Sequence, residues 1–310
     1  MGNSETVLIF QKPKLYFFPD YKNIIFAPFA VRERSLPYWL YRIMHILHIP
    51  GYEHFWGEWK KKLPSAKKVI IFDYGYQRGM EQYIHKVNPD CEVYLFMWNK
   101  IDKVHKNHTI YSEKENIYST DPGDCEQYRL KFNHIFYPKE YALPYAEKNR
   151  KKLLFLGADK NRGRQIAELK RWLEKSGLQC DIRVVSSSKD KNYLEELSDI
   201  LIPEPLPYEQ YIGLVKDCGI LLDMAQAGQK ALTMRVMEAL FLSKKLITNN
   251  ADIVKYEFYH PDNIFVLPQT WEEGLEEQIK EFADKPFVPY SKELLETYTF
   301  EHWLSVFGQK

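Results

Sequence analysis

A basic turn in the second half of the chain has the residue types of an anion-binding site. The apolar run 153–156 predicts a buried strand, and the sequence GADKNRGR at 157–164 follows it directly. Gly157 is expected to let the backbone turn tightly, and Lys160 and Arg162 bring cationic side chains to that turn. The helix expected next presents unpaired N–H groups at its start. These groups suit an anion such as a diphosphate, and the alternative is a solvated basic loop.

A second stretch, residues 219–250, offers a similar set of groups. Its pattern predicts a strand at 220–222, a polar loop, a helix that opens near Thr233 and a strand at 246–248. In parallel α/β sheets, ligands bind outside the carboxyl ends of the strands and near helix N-termini. The loop and the first helical turn therefore supply the predicted binding residues, which are Gln229, Lys230, Thr233 and Arg235.

Glu238 lies one turn further into this helix, among apolar residues. A carboxylate at this place could accept hydrogen bonds from ribose hydroxyl groups, as it does in dinucleotide-binding folds. The alternative is an acid on the helix surface, paired with Lys244 or Lys245. The two anion sites are expected to open on the same edge of one parallel sheet, which is the arrangement that a nucleotide diphosphate requires.

Candidates for a catalytic base lie in the first half of the chain. Asp73 ends the strand predicted at 68–72 and precedes a turn, where a general base can reach a cleft. Glu33 lies in a charged loop that follows another predicted strand. Each has a structural alternative, because acids are common in turns and at helix N-caps. The sequence leaves the choice between them open.

Several classes of site have no support in the sequence. No two aspartates stand two positions apart to hold Mg²⁺ on a sugar nucleotide, and His and Cys lack zinc spacing, so no metal or other cofactor is expected. The turn at 157–164 matches neither G-x-G-x-x-G nor a P-loop, which disfavours nicotinamide, flavin and P-loop enzymes. Lys plus Arg total 43 against 42 for Asp plus Glu, and this net charge of +1 gives no support for a nucleic-acid partner.

Composition and length predict a folded cytoplasmic protein with two domains. The chain has 310 residues, 45% of them hydrophobic, which is enough for two α/β cores and excludes a disordered chain. Its four cysteines lie far apart, as expected of free thiols in a reducing compartment. No apolar run approaches the roughly 18 residues of a membrane-spanning helix, and no signal-peptide pattern is present.

The segment Pro37–Ile49 predicts a helix that is apolar nearly all round. One interpretation is a helix packed against the first sheet. The other is a surface that meets a lipid-linked acceptor, which would bring the protein to the inner face of a membrane. Arg42, His45 and His48 lie along one side of this helix and would suit anionic headgroups.

Several of these features resemble the GT-B-fold glycosyltransferases. The stretch GQKALTMRVMEALFLSKKLITNN, followed by FYHPDNIFVL, is similar to bacterial capsule, exopolysaccharide and lipopolysaccharide biosynthesis proteins. DPGDCEQYRLKFN at 121–133 is similar to the same group. The closing YTFEHWLSVF resembles the tail helix that crosses back to the first domain in this fold. The likeness covers residues 120 to 310 well and the preceding residues loosely.

The resemblance implies two Rossmann-like α/β domains that face each other across a cleft. The acceptor would bind to residues 1–148 and the nucleotide-sugar donor to 149–290, and the tail helices of 291–310 would pack back on the first domain. The reaction implied is transfer of a sugar to a saccharide or lipid-linked acceptor without a metal. By position, Lys160 and Arg162 match the basic pair that contacts phosphate, and Glu238 matches the ribose-binding Glu of a paired-glutamate motif.

One position departs from the family pattern. The first Glu of that motif lies eight residues before the second, and Lys230 stands there in this chain. Retention or inversion at the anomeric carbon is therefore left open, as are the sugar, the nucleotide, the acceptor and the oligomeric state. Two alternatives also stay open: a GT-B-like binding or scaffold subunit without turnover, and a nucleotide-sugar epimerase of the same fold.

Overall fold

The fold contains two β-sheets, each built of parallel strands that are connected by helices. The computed structural model describes residues 5–10, 21–30, 35–47, 49, 51–101, 109, 114–226 and 230–309. The α/β class predicted from the sequence is confirmed. In this part of the chain, no helix is long and apolar enough to cross a membrane.

The first sheet has six strands within the described residues, all parallel, in the order β2-β1-β3-β4-β5-β6. In chain order, β1 to β6 span Glu5–Phe10, Ile24–Pro28, Ala66–Phe72, Glu92–Met97, Ile117–Ser119 and Lys131–Phe132. The last four residues of β3 and the last five of β4 are buried. Such unbroken apolar runs are typical of parallel sheets that are covered on both faces.

The second sheet has five described strands, also parallel, in the order β11-β10-β9-β7-β8. Here β7 to β11 span Lys152–Ala158, Gln179–Val185, Ile220–Asp223, Lys245–Thr248 and Ile264–Val266. The chain adds β8 on one side of β7 and then places β9 on the other side. The strand order therefore reverses between β7 and β9.

Helices connect the strands and supply the apolar stripes that cover the sheets. The described α-helices span Leu36–Ile46, Met80–Val87, Pro122–Tyr128, Gly163–Lys175, Lys191–Glu196, Tyr208–Lys216, Met234–Phe241, Leu275–Asp284, Lys292–Glu296 and Phe300–Val306. The helix that follows β7 is amphipathic: Ile166, Leu169 and Leu173 lie three or four residues apart and are fully buried. Gly177, with φ of 85°, ends it in the left-handed conformation that glycine adopts freely.

By compactness the chain divides into two units, and this division differs from the predicted domains. The first unit is Met1–His134 together with Leu304–Lys310, and the second is Ile135–Trp303. The domain boundary at 148 and the tail at 291–310 stay predictions, since a division by compactness does not test where the functional domains begin and end.

Contacts within the second unit explain the difference at the boundary. Tyr137 N donates to Tyr298 O at 2.9 Å, and Leu143 N donates to Phe241 O at 2.9 Å. These hydrogen bonds hold residues 135–147 on the second unit. The charged run 147–152 covers a loop and the start of β7.

The end of the chain belongs to the first unit through an aromatic anchor. Phe307 is buried, and its ring centroid lies 4.6 Å from that of Tyr118 and 5.4 Å from that of Tyr94. Lys68 Nζ donates to Phe307 O at 2.7 Å. These contacts fix the chain terminus on β3, β4 and β5.

Lys245 opens β10 and is buried. Its Nζ donates to the carbonyl oxygens of Phe282 and Lys285, each at 2.6 Å, at the C-terminal end of the helix Leu275–Asp284. A cation at this place complements the partial negative charge of the helix end. Burial nevertheless lowers the pKa of Lys245 to about 8, against the attraction of Asp262.

We expect this lysine to make the free energy of unfolding rise between about pH 8 and pH 10.5. Across that window the unfolded chain, whose lysines have a pKa of 10.5, binds more protons than the folded chain, so stability increases with pH. The shift corresponds to roughly 3 kcal/mol. Chemical denaturation at a series of pH values measures the free energy of unfolding. Lys245→Met should lack this increase with pH, whereas the control Lys280→Met, which replaces an exposed lysine, should keep it. The expectation is contradicted if the free energy of unfolding of the wild type and of Lys245→Met changes equally with pH between about pH 8 and pH 10.5.

Candidate functional site

The candidate site lies at the carboxyl ends of β7 and β9, where the strand order of the second sheet reverses. These strands are parallel neighbours, with Leu153 paired to Ile220 and Leu154 to Leu221. Ligands of open parallel sheets bind in the crevice outside such a reversal point. The two stretches singled out in the sequence follow these two strands, so the structure brings them to one edge of one sheet.

The turn after β7 lies later in the chain than the sequence suggested. Gly157 is inside the strand, and Lys160 and Asn161 make the turn, with φ of 48° and 63°. Left-handed backbone is uncommon for residues other than glycine, although asparagine tolerates it. Arg162 then stands at the N-cap of the helix Gly163–Lys175. The expectation that Gly157 makes the turn is wrong.

Gly157 instead makes room for an aromatic ring. A Cβ at this position would lie 3.1 Å from the Cζ atom of Phe155, which is tighter than normal packing. The Phe155 ring lies beneath two guanidinium groups, with centroid distances of 5.9 Å to Arg162 and 6.0 Å to Arg235. Two cations from distant parts of the sequence therefore lie within cation–π range of one ring.

Asp159 holds the turn in this shape. It is buried, and its carboxylate accepts hydrogen bonds from Gly163 N, Ser186 Oγ and Tyr193 Oη, each at 2.8 Å. Burial favours the neutral acid, but the hydrogen bonds from Tyr193, Ser186 and the backbone outweigh it and lower the pKa of Asp159. Sequence reasoning missed this network, because its members are far apart in the chain.

Arg162 is a partly buried cation with donors left unused within the described residues. Its Nη2 reaches Ala158 O at 3.4 Å, and its buried Nε has no hydrogen-bond partner among the described residues. Burial lowers the pKa of Arg162, the charge of Arg235 lowers it further, and Asp223 opposes the shift. Lys160, two positions earlier, is exposed as a whole residue. Partial desolvation of its amino group nevertheless lowers its pKa, and the charge of Arg162 lowers it further.

Arg235 is already bound within the protein. Its Nη2 donates to Leu156 O at 2.6 Å, its Nη1 donates to the hydroxyl of Tyr211, and Nη1 lies 3.7 Å from Glu238 Oε2. The side chain is only 15% exposed. The guanidinium group thus takes part in a buried ion pair, a role beyond the phosphate contact that the sequence predicts.

Glu238 is buried on the same helix. Its Oε2 accepts from Tyr211 Oη at 2.5 Å. Burial raises the pKa of Glu238, while Arg235 and Tyr211 lower it in part. The alternative of a surface acid paired with Lys244 or Lys245 is wrong, since those two lysines are buried and donate to backbone carbonyl oxygens.

Asp223 ends β9 and ties the neighbouring elements together. Its two oxygens accept from Thr233 Oγ1 and Thr248 Oγ1, each at 2.8 Å. Thr233, which the sequence predicts as an anion contact, stands at the start of the helix Met234–Phe241, and its hydroxyl donates to Asp223. Lys230 is exposed nearby in the chain, and Gln229 lies outside the described residues.

The base candidates of the first unit are not equivalent. Asp73 is buried at the end of β3, and its carboxylate accepts from Tyr74 N at 2.8 Å and from the backbone and side-chain nitrogens of Asn99 at 2.8 and 3.0 Å. These bonds tie the end of β3 to the segment after β4. Glu33 lies outside the described residues. The assignment of either residue as base stays a prediction.

No family model matches the chain, and none of the characterised proteins searched matches it. In the part of the chain that the structure describes, no three His, Cys, Asp or Glu residues are grouped so that they could hold a metal ion. The geometry at the edge of the second sheet is therefore the basis for the proposed function.

Gly163→Ala is expected to destabilise the turn that carries Arg162. A Cβ here would lie 2.4 Å from Leu197 Cδ1, 2.7 Å from the Tyr193 hydroxyl and 2.9 Å from Asp159 Oδ1, so the network around Asp159 must shift. Such overpacking typically costs about 1–3 kcal/mol. Gly213→Ala is the matched control, since it is also helical and its Cβ would meet nothing within 4 Å. Urea denaturation checks both, and an unchanged Gly163→Ala midpoint would refute the expectation.

Proposed function

We propose that the carboxyl edge of the second sheet binds the diphosphate of a nucleotide-sugar, and that the protein is a glycosyltransferase. The reaction moves the sugar to a saccharide or lipid-linked saccharide acceptor in the assembly of a bacterial surface polysaccharide. The proposed architecture is the GT-B fold that the sequence resembles, with the donor on residues 149–290 and the acceptor on 1–148.

The observation that carries the proposal is that the guanidinium groups of Arg162 and Arg235 lie 5.9 and 6.0 Å from the centre of the Phe155 ring. The charge of Arg235 lowers the pKa of Arg162, so the two cations repel each other in this partly buried place unless an anion compensates them. Glu238 compensates Arg235, whereas the buried Nε of Arg162 has no partner among the described residues. A diphosphate supplies both the acceptor oxygens and the charge that Arg162 lacks.

Neighbouring groups fit the remaining parts of such a ligand. Lys160 adds an exposed cation to the same turn, and the helix Gly163–Lys175 begins there with its positive dipole end. These groups can offset the charge of a diphosphate in the proposed reaction without a metal. Glu238 is proposed to accept the ribose hydroxyl groups, in the orientation that Arg235 and Tyr211 impose on its carboxylate.

A second candidate function is donor binding without turnover, and one observation favours it. The carboxylate of Asp73 accepts hydrogen bonds from three nitrogen donors, which leaves it poorly suited to take a proton from an acceptor hydroxyl. In that case the protein would be a GT-B-like binding or scaffold subunit.

Arg162→Gln is expected to weaken the binding of nucleoside diphosphates, because the variant loses a charge-assisted contact worth about 1.5–3 kcal/mol. Isothermal titration with uridine, guanosine, cytidine and thymidine diphosphates, and with their sugar conjugates, measures the effect. Arg171→Gln is the control, since Arg171 is an exposed arginine on the same helix. Unchanged affinity for Arg162→Gln, or no binding of any nucleotide by the wild type, would remove the proposal.

Arg235→Ala is expected to lose stability as well as affinity. The substitution leaves Glu238 buried without its ion-pair partner, and breaking a buried pair in this way typically costs about 3–5 kcal/mol. Thermal unfolding without ligand therefore separates the two arginines: Arg235→Ala should melt well below the wild type, and Arg162→Gln should melt close to it. Equal melting temperatures for all three proteins would show that the ion pair contributes nothing to the fold.

Asp73→Asn separates the two candidate functions once a donor and an acceptor are found. If Asp73 is the base, release of nucleoside diphosphate should slow by on the order of a hundredfold or more. If Asp73 only ties β3 to the segment after β4, the variant should lose about 1–3 kcal/mol of stability, because an amide nitrogen then faces the Asn99 donors. The rate of nucleoside diphosphate release should then stay unchanged. No release with any donor and acceptor pair would favour the binding subunit.

A further inference from the structure

The helix Leu36–Ile46 and the residues after it carry most of the exposed apolar surface of the described chain. Seven of the eleven large hydrophobic side chains that are exposed there belong to this stretch: Leu36, Trp39, Leu40, Ile43, Ile46, Leu47 and Ile49. Their spacing of three or four residues places most of them on one side of the helix. A contiguous apolar patch of this kind marks an interaction surface.

The opposite side of the helix is fixed to the first unit by tyrosines. Tyr41 is buried at 4% exposure, and its hydroxyl donates to Gln77 Oε1 at 2.9 Å. The Tyr41 ring packs against Phe29 and Tyr38, at centroid distances of 6.2 and 6.1 Å. A surface helix normally turns its aliphatic side inward. Here the side with the hydrogen-bonded Tyr41 faces inward, and the side with the leucines, the isoleucines and Trp39 faces outward.

The helix itself carries only basic charges, whereas the segment that follows it carries both signs, with Glu53 and Glu58 close in sequence to the lysines at 60–62. Residues 35–51 contain no Asp or Glu, and the guanidinium group of the exposed Arg42 lies 5.7 Å from the centre of the Trp39 ring. Lys60 Nζ donates to the carbonyl oxygens of Glu53 and His54, which brings the basic run 60–62 to the segment that packs beside the helix. Tryptophan and arginine are suited to the boundary between lipid tails and headgroups.

We infer that this face docks on an anionic lipid bilayer, with the helix lying in the interface. The inference goes beyond the proposed function and does not rest on it. A second copy of the chain is the rival occupant. In a two-fold symmetric dimer the same surface meets itself, so Arg42 would approach its own copy. The acids of the adjoining segment are Glu53 and Glu58, and Glu58 already pairs with Lys61. Anionic headgroups pair with Arg42 while the acyl boundary receives the leucines and isoleucines.

Co-sedimentation of the full chain with lipid vesicles tests the inference. The wild type should bind phosphatidylcholine vesicles that contain phosphatidylglycerol, and should bind pure phosphatidylcholine vesicles more weakly. Leu40→Gln with Ile43→Gln should weaken binding by on the order of tenfold or more, since two apolar side chains no longer enter the interface. Arg42→Gln should weaken binding to the anionic vesicles about fivefold.

Two controls keep the result interpretable. Val87→Gln and Val254→Gln replace exposed apolar side chains elsewhere in the described chain and should leave vesicle binding unchanged. The substituted helix residues are exposed, so circular dichroism and melting should match the wild type. The inference is overturned if the wild type does not bind, if it binds both kinds of vesicle equally, or if the double variant binds as the wild type does. A wild-type dimer that the double variant abolishes, seen by sedimentation velocity without lipid, would assign the face to self-association.

Discussion

The buried ion pair between Arg235 and Glu238 holds the candidate site together. Through Leu156 O the guanidinium group reaches β7, and through the hydroxyl of Tyr211 it reaches the helix Tyr208–Lys216. Three elements that are distant in the sequence thus converge on one charge. Both partners are largely buried, so each depends on the other to avoid an uncompensated charge in a low-dielectric place. The relative position of the two stretches that flank the sheet edge follows from this pair.

Because Glu238 already neutralises Arg235, the two arginines over the Phe155 ring have different tasks. Arg235 is a fixed part of the fold, and its charge is internally balanced. Arg162 sits on a turn whose shape depends on Asp159, and it keeps a buried donor without a partner among the described residues. An anion that arrived at this edge would gain most from Arg162 and would find the Arg235 side of the site already ordered. Such preorganisation lowers the entropic cost of binding.

The sequence predicted those features that depend on local patterns, and it missed those that depend on distant contacts. Apolar runs and helical spacing predicted the α/β class, the strands and the meeting of the two turns at one edge. Nothing local marks Tyr193 or Tyr211 as hydrogen-bond partners of Asp159 and Glu238, because those contacts join separate elements. The helix Leu36–Ile46 is apolar on nearly every side, so its periodicity could not tell which side faces solvent.

In both units, an aspartate at the end of a strand makes the same kind of contact to the end of the adjacent parallel strand. Asp73 binds Asn99, just after the neighbouring strand β4; Asp159 binds Ser186, just after β8; and Asp223 binds Thr248, at the end of β10. In each case a buried carboxylate ties the end of its own strand to that of the adjacent parallel strand. A parallel sheet ends with unpaired backbone groups at this edge, so an acid there satisfies donors that would otherwise be buried without partners. An aspartate that directly follows a buried strand is therefore weak evidence for a catalytic base in this protein. A base is better sought among carboxylates whose oxygens are not all engaged by the protein.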